Sequence, residues 1–173
     1  EDVGNLIDLM LEQLSPAGNP WQVQTIQLLL CESFLSSVFY YIDDTVLEGL
    51  IADVVIPCLL DSHSDVQDAS SQLLTFIVKS SLLLIEKLPY IVQIFITMLR
   101  NKESTAERIA GAKGLCAIIS GTFLFNDVPQ YVIDSFSALA DALEMDSSVE
   151  GIITQFFSDF WALYDSNLMN GVA

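Results

Sequence analysis

Apolar residues recur at helical spacing along this chain, in segments separated by short polar breaks. In the segment that begins at Ser64, the apolar residues Val66, Ala69, Leu73 and Ile77 follow one another at three- or four-residue intervals. This spacing places them on one face of an α-helix. The pattern therefore predicts an amphipathic helix that extends to about residue 81.

A similar two-residue motif, an apolar residue followed by Gln or Glu, begins four segments: Trp21-Gln22, Val66-Gln67, Ala106-Glu107 and Val149-Glu150. Successive motifs are separated by 45, 40 and 43 residues, within the ~40 to 47 residues typical of helix-pair repeats. The sequence therefore predicts an all-α fold, a HEAT/armadillo-like α-solenoid of about four antiparallel helix pairs. We expect the pairs at about 3–42, 46–81, 86–123 and 129–165, in a single domain (1–173) that is a fragment of a longer solenoid.

Several residues are expected to fix the helix ends. Ser64 and Asp65 can cap the first turn of their helix, and Ser104 with Glu107 has the spacing of a capping box. Pro57, near the end of its segment, predicts a kink or an early stop because proline removes a backbone hydrogen bond. The tail 167–173 has no evident structure of its own.

Three predicted helices have unusual composition. The helix from Trp21 to Ile42 is apolar on nearly every side, so we expect it to be buried between neighbours. Gly111, Gly114 and Gly121 share one helix with several alanines. Because glycine weakens a helix, these residues predict tight contact with another helix; a small-residue groove for a ligand is the alternative.

The last predicted helix, from Ser148 to about Tyr164, carries an aromatic stripe. We interpret the stripe as core, with a docking face for a missing repeat or a partner as the alternative. Its residues are Phe156, Phe157, Phe160, Trp161 and Tyr164.

The charge of the chain is strongly acidic. It has 23 Asp and Glu against 6 Lys and Arg, for a net charge of −17, and every basic residue lies between Lys79 and Lys113. Binding to nucleic acid or anionic membranes depends on Lys and Arg, so we expect neither as a direct partner. A basic partner such as a histone tail is compatible with this charge, although acidic residues can also serve only to keep an apolar protein in solution.

The residue types that carry catalysis or bind metals are sparse. Cys31, Cys58 and Cys116 lie in apolar segments without metal-binding spacing, which is typical of reduced core thiols in an intracellular protein. The single histidine, His63, lies beside Asp61 in a polar turn and is interpreted as a surface residue. We therefore predict no catalytic residue, no metal site, no cofactor and no enzyme activity.

The order of motifs is similar to that in the C-terminal region of the large, two-hundred-kilodalton class of ATP-independent HEAT-repeat proteasome activators. The similarity covers about Trp21 to Asn167, most of this chain but a small part of a family member. Its motifs are Trp21-Gln22, Phe39-Tyr40, Asp43-Asp44, the run 54–61 leading into 65–69, Arg108-Ile109-Ala110-Gly111-Ala112-Lys113-Gly114-Leu115-Cys116-Ala117, and Asp127-Val128-Pro129.

This resemblance implies a dome of HEAT repeats that caps the proteasome core particle. It also implies ATP-independent degradation of peptides and acetylated histones, a context of DNA repair, and localisation in nucleus and cytoplasm. The family ends in a hydrophobic-Tyr-X motif that docks on the core particle. Here Val172 stands where the tyrosine is expected, so we expect the family's terminus to lie beyond Ala173 in a parent chain.

The resemblance also implies a bromodomain-like site for acetyl-lysine. The family's Asn-Phe pair aligns with Ser81 and Leu82, and Tyr90 would lie beside them. Serine can donate one hydrogen bond to an acetyl carbonyl, but it lacks the two-donor NH₂ of asparagine. An acetyl-lysine reader and an unrelated HEAT scaffold are therefore the alternatives to the activator module.

Overall fold

The structure is a computed structural model, and it describes residue 9 and residues 19–38, 42, 44–80, 86–122 and 128–170, with side chains described no further than 162. Within these residues every regular element is a helix. The all-α prediction is therefore confirmed. The first predicted pair, at about 3–42, implies a helix at 3–14, of which only Leu9 is described, in helical conformation; Ser81 and Leu82 lie outside the described residues.

Seven helices lie between residues 21 and 170 in the described part of the chain, and the four recurring motifs fall within the first four residues of α1, α3, α5 and α7. The helices are α1 (Trp21–Val38), α2 (Asp44–Leu50 continuing through Ile51–Val55 and Ile56–Leu59), α3 (Ser64–Ser80), α4 (Leu88–Leu99), α5 (Thr105–Gly121), α6 (Gln130–Met145) and α7 (Ser147–Asn170).

The helices contact one another in a regular order. The odd-numbered helices pack in series, α1 on α3, α3 on α5 and α5 on α7. Each of α2, α4 and α6 packs against the odd-numbered helix that follows it, and α4 also contacts α6. The buried core lies between these two sets of helices, with Phe95 of α4 and Leu115 of α5 fully enclosed.

Pro57 changes the course of α2 as the sequence indicates. The turn before it, Ile51–Val55, is a π-helix in which the Ile56 N–H donates to the Ile51 carbonyl, and α2 ends at Leu59, two residues after the proline. Proline has no N–H and its ring collides with the carbonyl four residues earlier. The wider π turn makes room for the ring, and the helix then stops.

Helix α1 is buried on one face only, so the expectation that it is enclosed by neighbours is wrong. Leu28, Cys31 and Leu35 are buried, and among the described helices the main contact of α1 is with α3. Four apolar residues on its other side are 41 to 60 % exposed: Val23, Ile26, Leu29 and Leu30. In addition, Ile42 is not part of α1, whose described residues end at Val38.

The predicted helix ends are partly confirmed. The Ser104 side chain accepts from the Glu107 N–H at 3.2 Å, but the Glu107 carboxylate accepts from the Asn101 amide at 2.8 Å instead of completing the box. Ser64 is the first residue of α3 and not its cap. Helix α7 extends to Asn170, so the expectation that the tail after residue 166 lacks structure is wrong for 167–170.

Three glycines let α5 approach its neighbours closely. A methyl group at Gly111 would lie 2.5 Å from the Leu99 backbone nitrogen, and one at Gly121 would lie 2.8 Å from the Thr75 carbonyl oxygen. At Gly114 it would collide with the Phe95 ring. The space over these glycines is filled by α4 and α3, which supports helix packing and not a ligand groove at these positions.

Candidate interaction surfaces

Of the three residues aligned with an acetyl-lysine site, the structure describes Tyr90. Its side chain, in the first turn of α4, is 71 % exposed. Because Ser81 and Leu82 lie outside the described residues, their arrangement around Tyr90 stays a prediction.

His63 lies in the turn between α2 and α3, where Asp61 organises the backbone. The Asp61 carboxylate accepts from the His63 N–H at 2.8 Å and contacts the His63 Nδ1 at 3.0 Å. The Gln67 amide donates to the Asp61 carbonyl at 2.6 Å. The exposed imidazole stacks on the Trp21 ring, with ring centres 5.4 Å apart and planes 16° apart. His63 thus joins the start of α1 to this turn, a contact that sequence reasoning missed.

The clustering of basic residues has a structural explanation. Four of the six form ion pairs among the described residues, all from α4, α5 and the residues beside them. Their partners lie in the helices on either side or, for Asp146, in the turn between α6 and α7: Lys87–Glu48, Lys113–Asp68, Arg100–Asp141 and Arg108–Asp146. Lys87–Glu48 and Arg100–Asp141 are exposed pairs, and such pairs contribute at most about 1 kcal/mol each. The side chains of Lys113 and Arg108 are only 12 % and 17 % exposed. We infer that the four pairs together favour one arrangement of neighbouring helices.

Arg108 makes the most hydrogen bonds of these four cations. Its Nη1 donates to the carbonyls of Asn101 at 3.0 Å and Lys102 at 3.1 Å, and its Nη2 donates to the Thr105 hydroxyl. Its Nε lies against the Asp146 carboxylate. Arg108 therefore fastens the α4–α5 turn to the α6–α7 turn.

Asp146 should make the stability of the chain depend on pH. Hydrogen bonds from Ser148, followed by the charge of Arg108, hold the pKa of Asp146 below its usual value. Its stabilising effect is therefore complete above the ordinary aspartate pKa of about 3.9 and is lost as the pH falls through the lowered value. The stability gap between the wild type and Asp146→Asn should be constant near neutral pH and close below about pH 4.

Chemical denaturation at a series of pH values measures this gap. Asparagine also caps helices well, so Asp146→Asn removes the charge and keeps an acceptor for the Ser148 N–H, which Asp146 binds at 2.8 Å. Glu86→Gln is the matched control because it removes an exposed carboxylate. The difference in stability between the wild type and Glu86→Gln should be smaller than that for Asp146→Asn. A gap for Asp146→Asn that persists unchanged in acid would contradict the prediction.

The three cysteines are buried thiols. Burial raises the pKa of Cys31 and of Cys58 from 9.0 to about 11, with a further contribution at Cys58 from the charge of Asp61. Burial raises the pKa of Cys116 to about 12. The nucleophilic form of cysteine is the thiolate, so none of the three is prepared to act as a nucleophile near neutral pH.

The thiols should react slowly in the folded chain. A pKa raised by about two lowers the thiolate fraction about a hundredfold near pH 8, and burial restricts access further. We expect Ellman's reagent to modify the native chain at least about 100-fold more slowly than the chain in denaturant. A cysteine that reacts equally fast in both states would contradict its burial, and mass spectrometry of the modified peptides identifies which one reacts.

Clefts open on the described surface, and two of them are lined by residues discussed above. The larger, of about 930 Å³, lies between the α4–α5 turn and the end of α6; its charged lining residues are Arg100, Lys102, Arg108, Asp141, Glu144 and Asp146. Three cations there face three carboxylates, so the cleft has no excess of either charge. The second, of about 520 Å³, is bordered by α3, α5 and α7, and sequence reasoning missed it.

The aromatic stripe of α7 is only partly core. Phe156, Phe157 and Phe160 surround Phe136 of α6 with ring centres 5.4 to 6.4 Å away, and all four are half-buried. Trp161 is 57 % exposed. The side chain of Tyr164 lies outside the described residues. The stripe therefore packs on α6 and also reaches the surface.

The described residues contain no group of three or more His, Cys, Asp and Glu that could hold a metal ion. None of the helices described is sufficiently long and apolar to cross a membrane. Comparisons with protein-family models, curated proteins and solved structures find no match for this chain.

Proposed function

We propose that this chain is a HEAT/armadillo-like α-solenoid module of about four antiparallel helix pairs. The observation that carries the proposal is the serial packing of α1, α3, α5 and α7, with α2, α4 and α6 against them. The first pair would consist of α1 and the predicted helix at 3–14. Repeats stacked in this way build extended surfaces for binding other proteins.

The module would serve as a structural and interaction part of an ATP-independent proteasome activator. This assignment is based on the order of the motifs from Trp21 to Asn167, and the comparisons add no family that supports it. The parent protein would cap the core particle and promote degradation of peptides and acetylated histones, in nucleus and cytoplasm. The module would contribute to the dome without any catalysis of its own.

The test uses purified core particles and the full-length protein that contains this chain. Without ATP, the protein should comigrate with core particles on native gels and accelerate hydrolysis of a fluorogenic peptide. Gly111→Leu, which forces α4 and α5 apart, should lower both effects, whereas Gly151→Ala, with nothing within 4 Å of its added methyl group, should preserve them. An intact protein that neither comigrates nor stimulates would leave the unrelated scaffold as the better assignment.

An acetyl-lysine reader is the second candidate, favoured by the exposed ring of Tyr90. Titration with acetylated and unmodified histone-tail peptides tests it at low and moderate salt. A pocket would bind only the acetylated peptide, would retain binding as salt rises, and would lose it in Tyr90→Ala. Equal binding that fades with salt would indicate attraction by the acidic surface alone.

A further inference from the structure

The cleft bordered by α3, α5 and α7 has the form of an open groove. Helix α5 contacts both α3 and α7 and contributes Cys116, Ala117 and Ser120 to the lining. Asp68 of α3 and Asp159 of α7 lie on its two sides. The lining residue Gly151 has no atom within 4 Å of the position that a Cβ would occupy, so open space lies above it.

The hydroxyl groups of α3 that line the groove already have partners. Ser71 donates to the Lys113 carbonyl at 3.4 Å. The single hydroxyl hydrogen of Thr75 is directed to the Ser71 carbonyl at 3.0 Å, with the Ala117 carbonyl at 3.4 Å as a weaker second acceptor. The exposed carboxylates of Asp68 and Asp159 are acceptors only. The two carboxylates therefore favour a ligand that supplies donors.

The groove already binds one ammonium group. The Lys113 side chain is 12 % exposed, and its Nζ pairs with the Asp68 carboxylate across the α3–α5 contact. Asp159, on the α7 side, accepts from the Gln155 amide at 2.9 Å. Among the described residues no cationic side chain pairs with Asp159, so a second cation would find an available carboxylate there.

The neighbouring ring of Phe156 favours the same kind of ligand. It is half-buried and lines the groove on the side of Asp159, and aromatic rings attract ammonium and guanidinium groups. The net charge of −17 would also increase the rate at which a basic partner meets this surface.

We propose that the groove between α3 and α7 is a docking site for an unmodified lysine or arginine side chain on a peptide segment of a partner protein, whose charged group pairs with Asp159. The site differs from the one aligned with Ser81, Leu82 and Tyr90, and it selects a charged side chain where that site would select a neutral one. Binding here is independent of the activator assignment, since it requires no proteasome.

The test is a nuclear magnetic resonance titration of the isotope-labelled chain with a short Gly/Ala peptide that carries one central lysine. The same peptide with acetyl-lysine is the matched probe. We expect the lysine peptide to shift the backbone amides of Ser120, Gly151 and Asp159, and the acetylated peptide to bind about tenfold more weakly or not at all. Shifts scattered over the acidic surface, or equal affinity for both peptides, would overturn the proposal.

Three variants localise the binding. Asp159→Asn should weaken it about fivefold, which corresponds to the upper limit of about 1 kcal/mol for one exposed ion pair, whereas Glu144→Gln removes the same charge from the other cleft and should change it less than twofold. Gly151→Leu should fill the groove and also abolish binding, with its circular-dichroism melting curve as a check of folding. Equal losses in Asp159→Asn and Glu144→Gln would show non-specific attraction and overturn the assignment to this groove.

Discussion

Replacing Gly111 by alanine is expected to lower the free energy of unfolding by about 3 kcal/mol. The added methyl group would lie 2.5 Å from the Leu99 nitrogen and 2.6 Å from the Phe95 carbonyl oxygen. These are backbone atoms of α4, so no side-chain rotation can relieve the collision and the two helices must separate. The better helix propensity of alanine, about 1 kcal/mol, offsets only part of this cost.

Urea denaturation followed by circular dichroism measures the change, and the melting temperature should fall by about 10 °C. Gly151→Ala is the matched control: the same substitution within a helix, but with open space around the new methyl group. It should raise the free energy of unfolding by about 0.5 to 1 kcal/mol. If both variants were stabilised alike, the close approach of α4 and α5 at Gly111 would be wrong.

Replacing Phe95 by alanine is expected to cost about 3 to 5 kcal/mol, and this cost should depend on the residue at position 114. The Phe95 ring is fully buried and occupies the space into which a methyl group at Gly114 would project. In the wild-type background, Gly114→Ala should cost about 1 to 3 kcal/mol through overpacking. In the Phe95→Ala background, it should cost nothing, or should stabilise the helix by up to about 1 kcal/mol.

A double-mutant cycle measures the coupling, which we expect to be about 2 kcal/mol. Phe95→Ala combined with Gly151→Ala is the control pair and should be additive within about 0.5 kcal/mol. Should Phe95→Ala fail to fold, Phe95→Leu removes the ring while keeping much of its volume. Additive effects of the 95 and 114 substitutions would show that the ring and the glycine do not share this space.

Helices and their breaks were largely predictable from the sequence. The motifs at Trp21, Val66, Ala106 and Val149 fall at the starts of α1, α3, α5 and α7. The interruption of α2 near Pro57 was also expected. Hydrophobic periodicity and proline chemistry act over one or two helical turns, so a single segment contains the necessary information. Two predictions about helix ends were wrong: the capping box at Glu107 and the lack of structure in 167–170. Helix ends depend on tertiary contacts and on fraying, which the spacing of nearby residues does not determine.

The candidate surfaces were less predictable. Nothing in the sequence indicates that Lys113 meets Asp68 or that Trp21 stacks on His63, since each contact joins residues more than 40 positions apart. A signal did exist for the ion pairs. All six cations lie in one interval flanked by acidic segments, and this pattern is the expected signature when one helix pair lies between oppositely charged neighbours.

The sequence by itself determined that the chain is helical and where most helices begin, and it favoured close contact of α5 with another helix at its glycines. The tertiary structure alone decided which face of α1 stays exposed, which carboxylate each cation meets, and that α3, α5 and α7 border a groove. Helix formation depends on residues three and four apart in the sequence. Pairing between helices depends on their relative rotation and offset, which the spacing of residues within one helix does not determine.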